Sequence, residues 1–367
     1  MGTLDGAVNT ARPALRVAVW TTGNVIRQAA RVVLDRRDLA LVGAFARSPQ
    51  KVGVDVGELC GLGRRLGITA TADVDELLGL DLDCVIYSPL HLDVAELARI
   101  LRAGVNVVTT AELMTGSTLD ATARAELQGA AEAGNASLFG SGMNPGFAQL
   151  LAGVATGISA GIRKVIVSES VDVSEFVADA NFEAMGWGRP RGDAGHADAV
   201  RAGTAVFAEA VEVLGQLVGT SFDELRCDVE FAHATEDLTL TSMVIQKNHV
   251  AAMDVHWTGV VDGHDAVQLR QRWLASTLVD PAWTVEHGYS VEVSGDPNIR
   301  IKLDIWPTDA DLANLTKETM HGIGMRITAV PVVNAIPAVC AAPAGIVTYA
   351  DLPVIASPYL RRRLHAV

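Results

Sequence analysis

Within the first 150 residues, short runs of apolar, β-branched residues alternate with segments of helical spacing, and few folds accommodate that order. The runs are LRVAVW (15–20), LALVGAFA (39–46), DCVIYSP (83–89), VNVVTT (105–110) and ASLFGSG (136–142). Helix-like stretches lie between them at about 25–34, 91–104 and 118–133, the second closed by Gly104, a normal helix stop. A strand with one wet face would alternate apolar and polar residues. These runs are apolar almost throughout, so both faces must be covered, as in parallel strands joined through helices. Such crossovers are right-handed, and ligands of such sheets sit at the carboxyl ends of the strands.

The segments at those ends are small, polar or glycine-rich: TTGNV, ARS, YSP, TTAE and SGMNPGF. They predict a Rossmann-like parallel domain over 14–150. A dinucleotide would lie across Thr21, Thr22, Gly23, Asn24, Val25, Ser88, Pro89, Thr110, Gly142, Asn144 and Pro145. The glycine fingerprint itself is thin. Of the glycines in G-x-G-x-x-G only Gly23 is present, and Thr21 must make the tight turn without glycine's freedom. A Rossmann-like domain with a decayed site is the competing reading. The second strand ends AFARSPQK, with no Asp or Glu near Ala44 or Ala46 for the ribose hydroxyls. Arg47, Ser48 and Lys51 stand where a 2'-phosphate would lie, which favours NADP(H) and still allows NAD(H). The plainer alternative makes Arg47 and Lys51 solvated loop charges.

The chain has 367 residues, enough for a second domain. A strand start at 162–176, a helix at 202–218 and strand candidates at 225–232, 247–261, 266–276, 284–295 and 299–306 predict an α+β substrate and dimerisation domain, 151–330, on a mixed or antiparallel open sheet. Residues 331–367 would pack back at the domain interface, and 1–13 would be a loose tail. One sheet face would carry helices; the other, expected to be apolar, would pair with a second copy in a homodimer. Pro331 and Pro337 are expected to mark breaks or starts of helices. Asn334, polar within VVNAIPAV, needs a partner if buried, as a turn cap or on the cofactor. Apolar residues make up 49 % of the chain and charged residues 20 %, which argues for packed cores. A net charge of -14 opposes binding to nucleic acid or an anionic membrane. No uninterrupted apolar run of 18 residues predicts a membrane span, and the first residues do not read as a signal peptide. Cys60, Cys84, Cys227 and Cys340 lack C-x-x-C or zinc-ligand spacing, so free thiols in the cytoplasm and no metal are expected.

Glu112 is the leading candidate for chemistry. It follows the strand VNVVTT, and its apolar neighbours Ala111, Leu113 and Met114 would disfavour its charged form unless it meets a cation or donors. A helix-start or solvated glutamate is the alternative. In SGMNPGF, Asn144 caps the next helix, lines the nicotinamide side of the cofactor, or does both. Phe147, Trp187 and Met114 would wall a substrate pocket, although Phe147 and Trp187 also suit a plain core. Trp187 lies in the glycine-rich stretch 181–196, expected as a loop over the site. No G-x-S-x-G, H-E-x-x-H or P-loop is present, which weakens hydrolysis and phosphoryl transfer.

RVAVWTTGNV, ARSPQKVGVDVGELCG, NVVTTAEL, GSGMNPGF and VVNAIPAVCAAPAGI together resemble the dihydrodipicolinate-reductase-like superfamily. The branch they resemble most is that of 2,4-diaminopentanoate dehydrogenase and the native NAD(P)H-dependent amine dehydrogenases. The resemblance spans Arg16 to Tyr349, with both flanking glycines of the family's first turn replaced. It implies reductive amination of a ketone or aldehyde with ammonia, reversible as deamination. It places the catalytic glutamate on Glu112 and the nicotinamide-side loop on Gly142, Asn144 and Pro145. The His-His-x-x-Lys-x-Asp segment of true dihydrodipicolinate reductases is missing. A keto-acid would want a cationic clamp, for which only Arg189 and Arg191 are at hand, so small apolar carbonyl compounds are expected. Another imine or carbonyl reductase, or a non-catalytic cofactor-sensing homodimer, are the alternatives.

Overall fold

The computed structural model describes residues 13–177 and 184–358; the tail reading for 1–13 therefore falls almost wholly outside the described residues. The alternation in the first 150 residues resolves into β1 (Leu15–Trp20), β2 (Leu39–Phe45), β3 (Ala70–Thr71), β4 (Cys84–Tyr87), β5 (Asn106–Thr109) and β6 (Ser137–Gly140). Their spatial order is β3-β2-β1-β4-β5-β6 and every pair is parallel, the Rossmann order. Period-two alternation splits β1 between two cores. Val17 and Val19 join Ile26, Ala29 and Val33 of α1 (Asn24–Leu34). Ala18 and Trp20 join Leu97, Ile100 and Leu101 of α2 (Val94–Arg102) and Leu127 of α3 (Ala121–Gly134). Trp20 stacks on Phe45 with ring centroids 4.4 Å apart. Asp93 and Asp120 cap α2 and α3 through their carboxylates, whereas α1 begins at Gly23 with no side-chain cap. Its first amides are thus left for another partner.

The second domain covers α4 (Ala148–Ala155), α5 (Val206–Leu217) and a seven-stranded mixed sheet. The strands are β7 (Ile162–Asp172), β8 (Glu224–Ala234), β9 (Val250–Val261), β10 (His264–Leu274), β11 (Val279–Asp280), β12 (Gly288–Gly295) and β13 (Ile299–Leu303). They lie in the order β11-β8-β9-β10-β7-β12-β13, antiparallel except for β10 beside β7. On β9, Met253 and Val255 are buried in the core with α5, and Trp257 donates its indole N–H to Thr204 Oγ1 at 3.1 Å. The alternate positions differ from the apolar face expected to await a second copy. Asp254, 2 % exposed, accepts Arg272 Nε at 2.8 Å and pairs with His256 Nε2 at 2.8 Å. Arg272 also lies over the Trp283 ring, 5.4 Å from its centroid. The charges are satisfied across the strand register, so this part of the face is polar by construction.

The chain then returns to the first domain through α6 (Lys317–Val339) and β14 (Gly345–Val347), which pairs in parallel with β6. α6 runs unbroken through Pro331 and Pro337, where breaks were expected. Each proline removes one helical hydrogen bond, but Ala329, Pro331, Val332, Val333, Ala335 and Ile336 are buried in the core with α1, and packing holds the helix. The expected boundary at 330/331 therefore falls inside one helix. α6 has 23 residues, and an 18-residue stretch of it has a mean hydropathy of 1.4, long and apolar enough by length and composition to cross a membrane. Its buried residues instead serve as the core helix between α1 and the first sheet.

Candidate active site

A cavity of about 1470 Å³ opens where the carboxyl ends of β1, β4, β5 and β6 face β7, β12 and the first half of α6. Of the residues expected at a dinucleotide, Gly23, Asn24, Val25, Ser88, Pro89, Thr110, Gly142, Asn144 and Pro145 line it. An added Cβ at Gly23 would meet nothing within 4 Å, so the uncapped amides of α1 face open space. That suits an anionic group at a helix N-terminus. Thr21 and Thr22 lie beneath the lining, Thr22 being buried. Thr21 adopts φ +92°, in the region glycine favours, and its Oγ1 donates to the Ser88 carbonyl at 3.0 Å. The tight turn is thus made with a strained threonine. Ser88 Oγ and Thr110 Oγ1 are 2.5 Å apart, coupling the ends of β4 and β5.

Arg47, Ser48 and Lys51 stand at the end of β2, outside the cavity lining. Arg47 lies over Phe45, 5.6 Å from the ring centroid, and pairs with Glu96 Oε2 at 2.6 Å. Ser48 Oγ donates to Gln50 Oε1 at 2.6 Å. Asn334 is not on the cavity: its Oδ1 accepts Arg36 Nη1 at 3.0 Å. The cavity takes α6 residues up to Thr328, and six further residues carry Asn334 about 9 Å along the helix. The half-buried asparagine is paired, but with an arginine and not the cofactor.

Glu112 lines the cavity, exposed at its wall, and makes no hydrogen bond among the described residues. Met114 lines it too. The loop that carries both is fastened from the second domain. Glu209 of α5, fully buried, accepts the amides of Met114 (2.6 Å), Thr115 (2.8 Å) and Gly116 (3.0 Å) on Oε2. Its Oε1 accepts the amide of Thr118 at 3.0 Å and the Thr118 hydroxyl. Gly140 allows the close approach beneath, since a Cβ there would collide with the Leu113 carbonyl.

The loop expected on the nicotinamide side is organised around Gly146. Its amide donates to Gln149 Oε1 at 2.5 Å, Gln149 Nε2 donates to Asn144 Oδ1 at 3.0 Å, and Asn144 Nδ2 donates to Glu169 Oε2 at 2.6 Å. Gly146 has φ +136°, and a Cβ there would collide with Ser141 Oγ. Glu169 Oε1 accepts the indole N–H of Trp273 at 3.0 Å. Burial pushes the Glu169 carboxyl above its usual range, against the lowering by Asn144 and Trp273. Burial, and then the Glu169 charge, push the neighbouring Tyr289 phenol up.

The aromatic walls are not those expected. Phe147 packs against the core, and Trp187, 6 % exposed, is buried with its indole N–H unpartnered among the described residues; neither lines the cavity. Phe176, Phe207, Trp273, Tyr289 and Trp306 take that place. Part of the 181–196 loop reading lies outside the described residues; Met185 from it does reach the cavity. Arg189 pairs with Asp193 at 3.6 Å and Arg191 with Asp280 at 3.1 Å, and neither lines the cavity as a clamp. Glu169, Trp273, Tyr289 and Glu209 went unforeseen. Glu169 is in phase with buried Val165 and Val167 on β7, and Glu209 falls within the apolar stripe of α5. A carboxylate at an inward-facing position was the available signal.

A parallel Rossmann sheet whose strand-end loops open onto a mixed-sheet domain defines the class as a two-domain, dehydrogenase-type fold. Residues 149–363 match the family described as 2,4-diaminopentanoate dehydrogenase C-terminal domain, and the chain belongs to that family. It is similar to a Streptomyces virginiae amine dehydrogenase, 26 % identical over 307 residues, covering 79 % of this chain and 85 % of the relative. In fold it is similar to the amine dehydrogenase of Mycobacterium smegmatis (24 % identity, TM-score 0.73, 94 % of this chain and 97 % of that one). It is also similar to GenD2 from gentamicin A biosynthesis, solved in complex with NAD (16 % identity, TM-score 0.52, 91 % and 89 % covered).

Proposed function

We propose that this chain is an NAD(P)-dependent amine dehydrogenase that reductively aminates small ketones or aldehydes and runs the reverse deamination. Glu112 carries the reading: an acid without a protein partner among the described residues, at a strand end, in a cavity shared with the nicotinamide-side loop. Membership of the 2,4-diaminopentanoate dehydrogenase family supports the reaction class, and the NAD held by GenD2 supports a nicotinamide cofactor. Gly23, Asn24 and Val25 would hold its pyrophosphate, Ser88 and Thr110 would flank it at the strand ends, and Gly142, Asn144 and Pro145 would face its nicotinamide side. When bound, that group supplies or receives the hydride. Glu112 accepts a proton as ammonia adds to the carbonyl and returns it to the hydroxyl, which leaves as water. The carboxylate then stabilises the iminium cation. Lys317 is the one lysine or arginine among the described lining residues, and Glu175 pairs with it, which favours substrates without a carboxylate.

NADP(H) is the preferred cofactor in this reading, because Arg47 is half-exposed at the end of β2 with no carboxylate at Ala44 or Ala46. We also propose a cytoplasmic homodimer. Free thiols at all four cysteines suit a reducing compartment. Trp306, Leu312, Leu315 and Met320, all exposed, gather at the cavity mouth, and a second copy would cover them. Light scattering showing only monomer would remove the dimer.

The test is NADPH oxidation with cyclohexanone or pentanal, with and without high ammonium. Ammonium-dependent turnover is expected, and Glu112→Ala should lower it by about 10²- to 10⁴-fold while NADPH binding persists. Ammonium-independent turnover would turn the reading to a carbonyl reductase. Tight NADPH binding with no turnover on any carbonyl would turn it to a cofactor sensor.

A further inference from the structure

A dinucleotide's pyrophosphate is a dianion, and the chain that would hold it has a net charge of -14. The fingerprint glycines that let backbone close around such a group are replaced here by Thr21 and Ile26. A cation is the component still wanted. Lys317 is the one lysine or arginine among the described residues of the large cavity. Arg27 and Arg31 of α1 line only a smaller hollow of about 480 Å³ beside it.

The place of Lys317 follows from the packing of α6 on α1. A Cβ built on Gly322 would come 3.9 Å from Gln28 Nε2, and Arg36, just past the end of α1, donates Nη1 to Asn334 Oδ1 at 3.0 Å. The two helices therefore run in the same direction. Gly322 lies five residues along α6 from Lys317, and Gln28 four residues along α1 from Asn24, about 7.5 and 6 Å at about 1.5 Å per residue. Lys317 accordingly stands level with the first residues of α1, and Lys317 and Asn24 both border both hollows. Its ammonium donates to Glu175 and to Thr241 Oγ1, the latter at 2.8 Å. The side chains of Lys317 and Glu175 are 63 % and 30 % exposed, and a pair so open to water holds weakly. A lysine stem is flexible enough to turn to a new partner. Glu175 would keep the Thr241 hydroxyl, which donates to its Oε1 at 3.1 Å, and its access to water.

We infer that Lys317 is a cofactor-binding residue: when the dinucleotide enters, the Lys317 ammonium leaves Glu175 for the pyrophosphate and supplies from α6 the contact that the replaced glycines do not. The inference rests on the nicotinamide-cofactor part of the proposed function. The pyrophosphate is common to NADPH and NADH, so Lys317 favours both without choosing between them. That separates its role from the one proposed for Arg47.

The test is calorimetric titration of the full chain with NADPH, NADH and 2'-AMP, with no carbonyl compound or amine present. Lys317→Met, uncharged and of similar length, should weaken NADPH and NADH alike by about tenfold, the worth of one charge-assisted contact. Lys317→Arg should restore most of that loss. 2'-AMP has no pyrophosphate and should bind wild-type and Lys317→Met protein within about twofold of each other. Glu175→Gln releases Lys317 and removes a like charge from beside the phosphates, so it should tighten NADPH by about threefold. A pair that only braces the seam would leave NADPH binding unchanged or weaker in that variant. Dinucleotide affinities unchanged in Lys317→Met overturn the inference, and so does an equal loss of 2'-AMP, which marks a general disturbance of the site. If the wild-type protein binds neither NADPH nor NADH, the cofactor reading itself fails and the inference falls with it.

Discussion

Replacing Glu209 by glutamine tests how the loop that bears Glu112 is held. The side chain keeps its shape and exchanges one acceptor oxygen for an amide NH2. Oε2 accepts three backbone amides and Oε1 accepts one amide and the Thr118 hydroxyl. The tolerable orientation therefore puts the NH2 at Thr118, where the hydroxyl can turn and accept. The Thr118 N–H is then orphaned in a buried setting, at about 1–3 kcal/mol. The three bonds on the other oxygen lose their charge assistance, at about 1 kcal/mol each. Losses within one network do not simply add, so about 3 kcal/mol against the closed loop is the working figure. That corresponds to roughly a hundredfold rise in the open population. Hydrogen exchange at Met114–Thr118 reads it directly, and protection there should fall by about that factor. Turnover should fall with it, because Glu112 rides on the same loop, while NADPH affinity changes less. Wild-type protection and wild-type kcat in Glu209→Gln would refute the clamp.

Arg47→Ala should raise KM for NADPH by about tenfold and leave NADH within about twofold, since one charge-assisted phosphate contact is worth about 1.5–3 kcal/mol; equal effects on both cofactors would refute the phosphate role. Thr21→Gly and Thr21→Ala both lose the bond to Ser88, but only glycine is at ease at φ +92°, so Gly should be more stable than Ala in urea by about 1 kcal/mol or more. Asp254 loses solvent on burial, which alone would raise its carboxyl, yet His256 and Arg272 outweigh that and hold it below its usual range. A folded value below the unfolded one means stability that is present above about pH 4 and lost as pH falls through the folded value. Asp254→Asn should flatten that acid limb of a urea-midpoint profile, and an unchanged limb would remove the assignment.

The first sheet was legible because its strands are buried on both faces, so continuous apolar runs had no other reading. The site loops were legible for a related reason: small polar segments directly after such strands have little to do in packing. What misled were residues judged singly. Trp187 and Phe147 suit a pocket wall as aromatics and a core equally well; the fold buries Trp187 and packs the half-buried Phe147 against the same core. Pro331 and Pro337 read as helix breaks by local propensity, which the packing of α6 between α1 and the sheet overrides. The polarity of Asn334 says that it needs a partner, but its distance from the cavity follows only from the continuity of α6. Glu169 and Glu209 needed phase: each stands at an inward position of its element, and nothing local says which cavity or loop awaits it.

Three glutamates meet at this site, and the number of donors around each separates their roles. Glu209 accepts five donors from one loop of the other domain, so it has no capacity left for a ligand and acts as a clamp. Glu169 accepts two neutral donors, from Asn144 and Trp273, that fix its direction at the cavity wall. Glu112 has none among the described residues, so it is open to a ligand in the cavity. Saturation resists ligand exchange, and its absence permits it. Two of the three act across the domain seam, Glu209 through the loop bearing Glu112 and Glu169 through Asn144. The docking of the second domain therefore sets the geometry of the first domain's strand-end loops, and a change that loosens the seam should weaken catalysis before it unfolds either sheet.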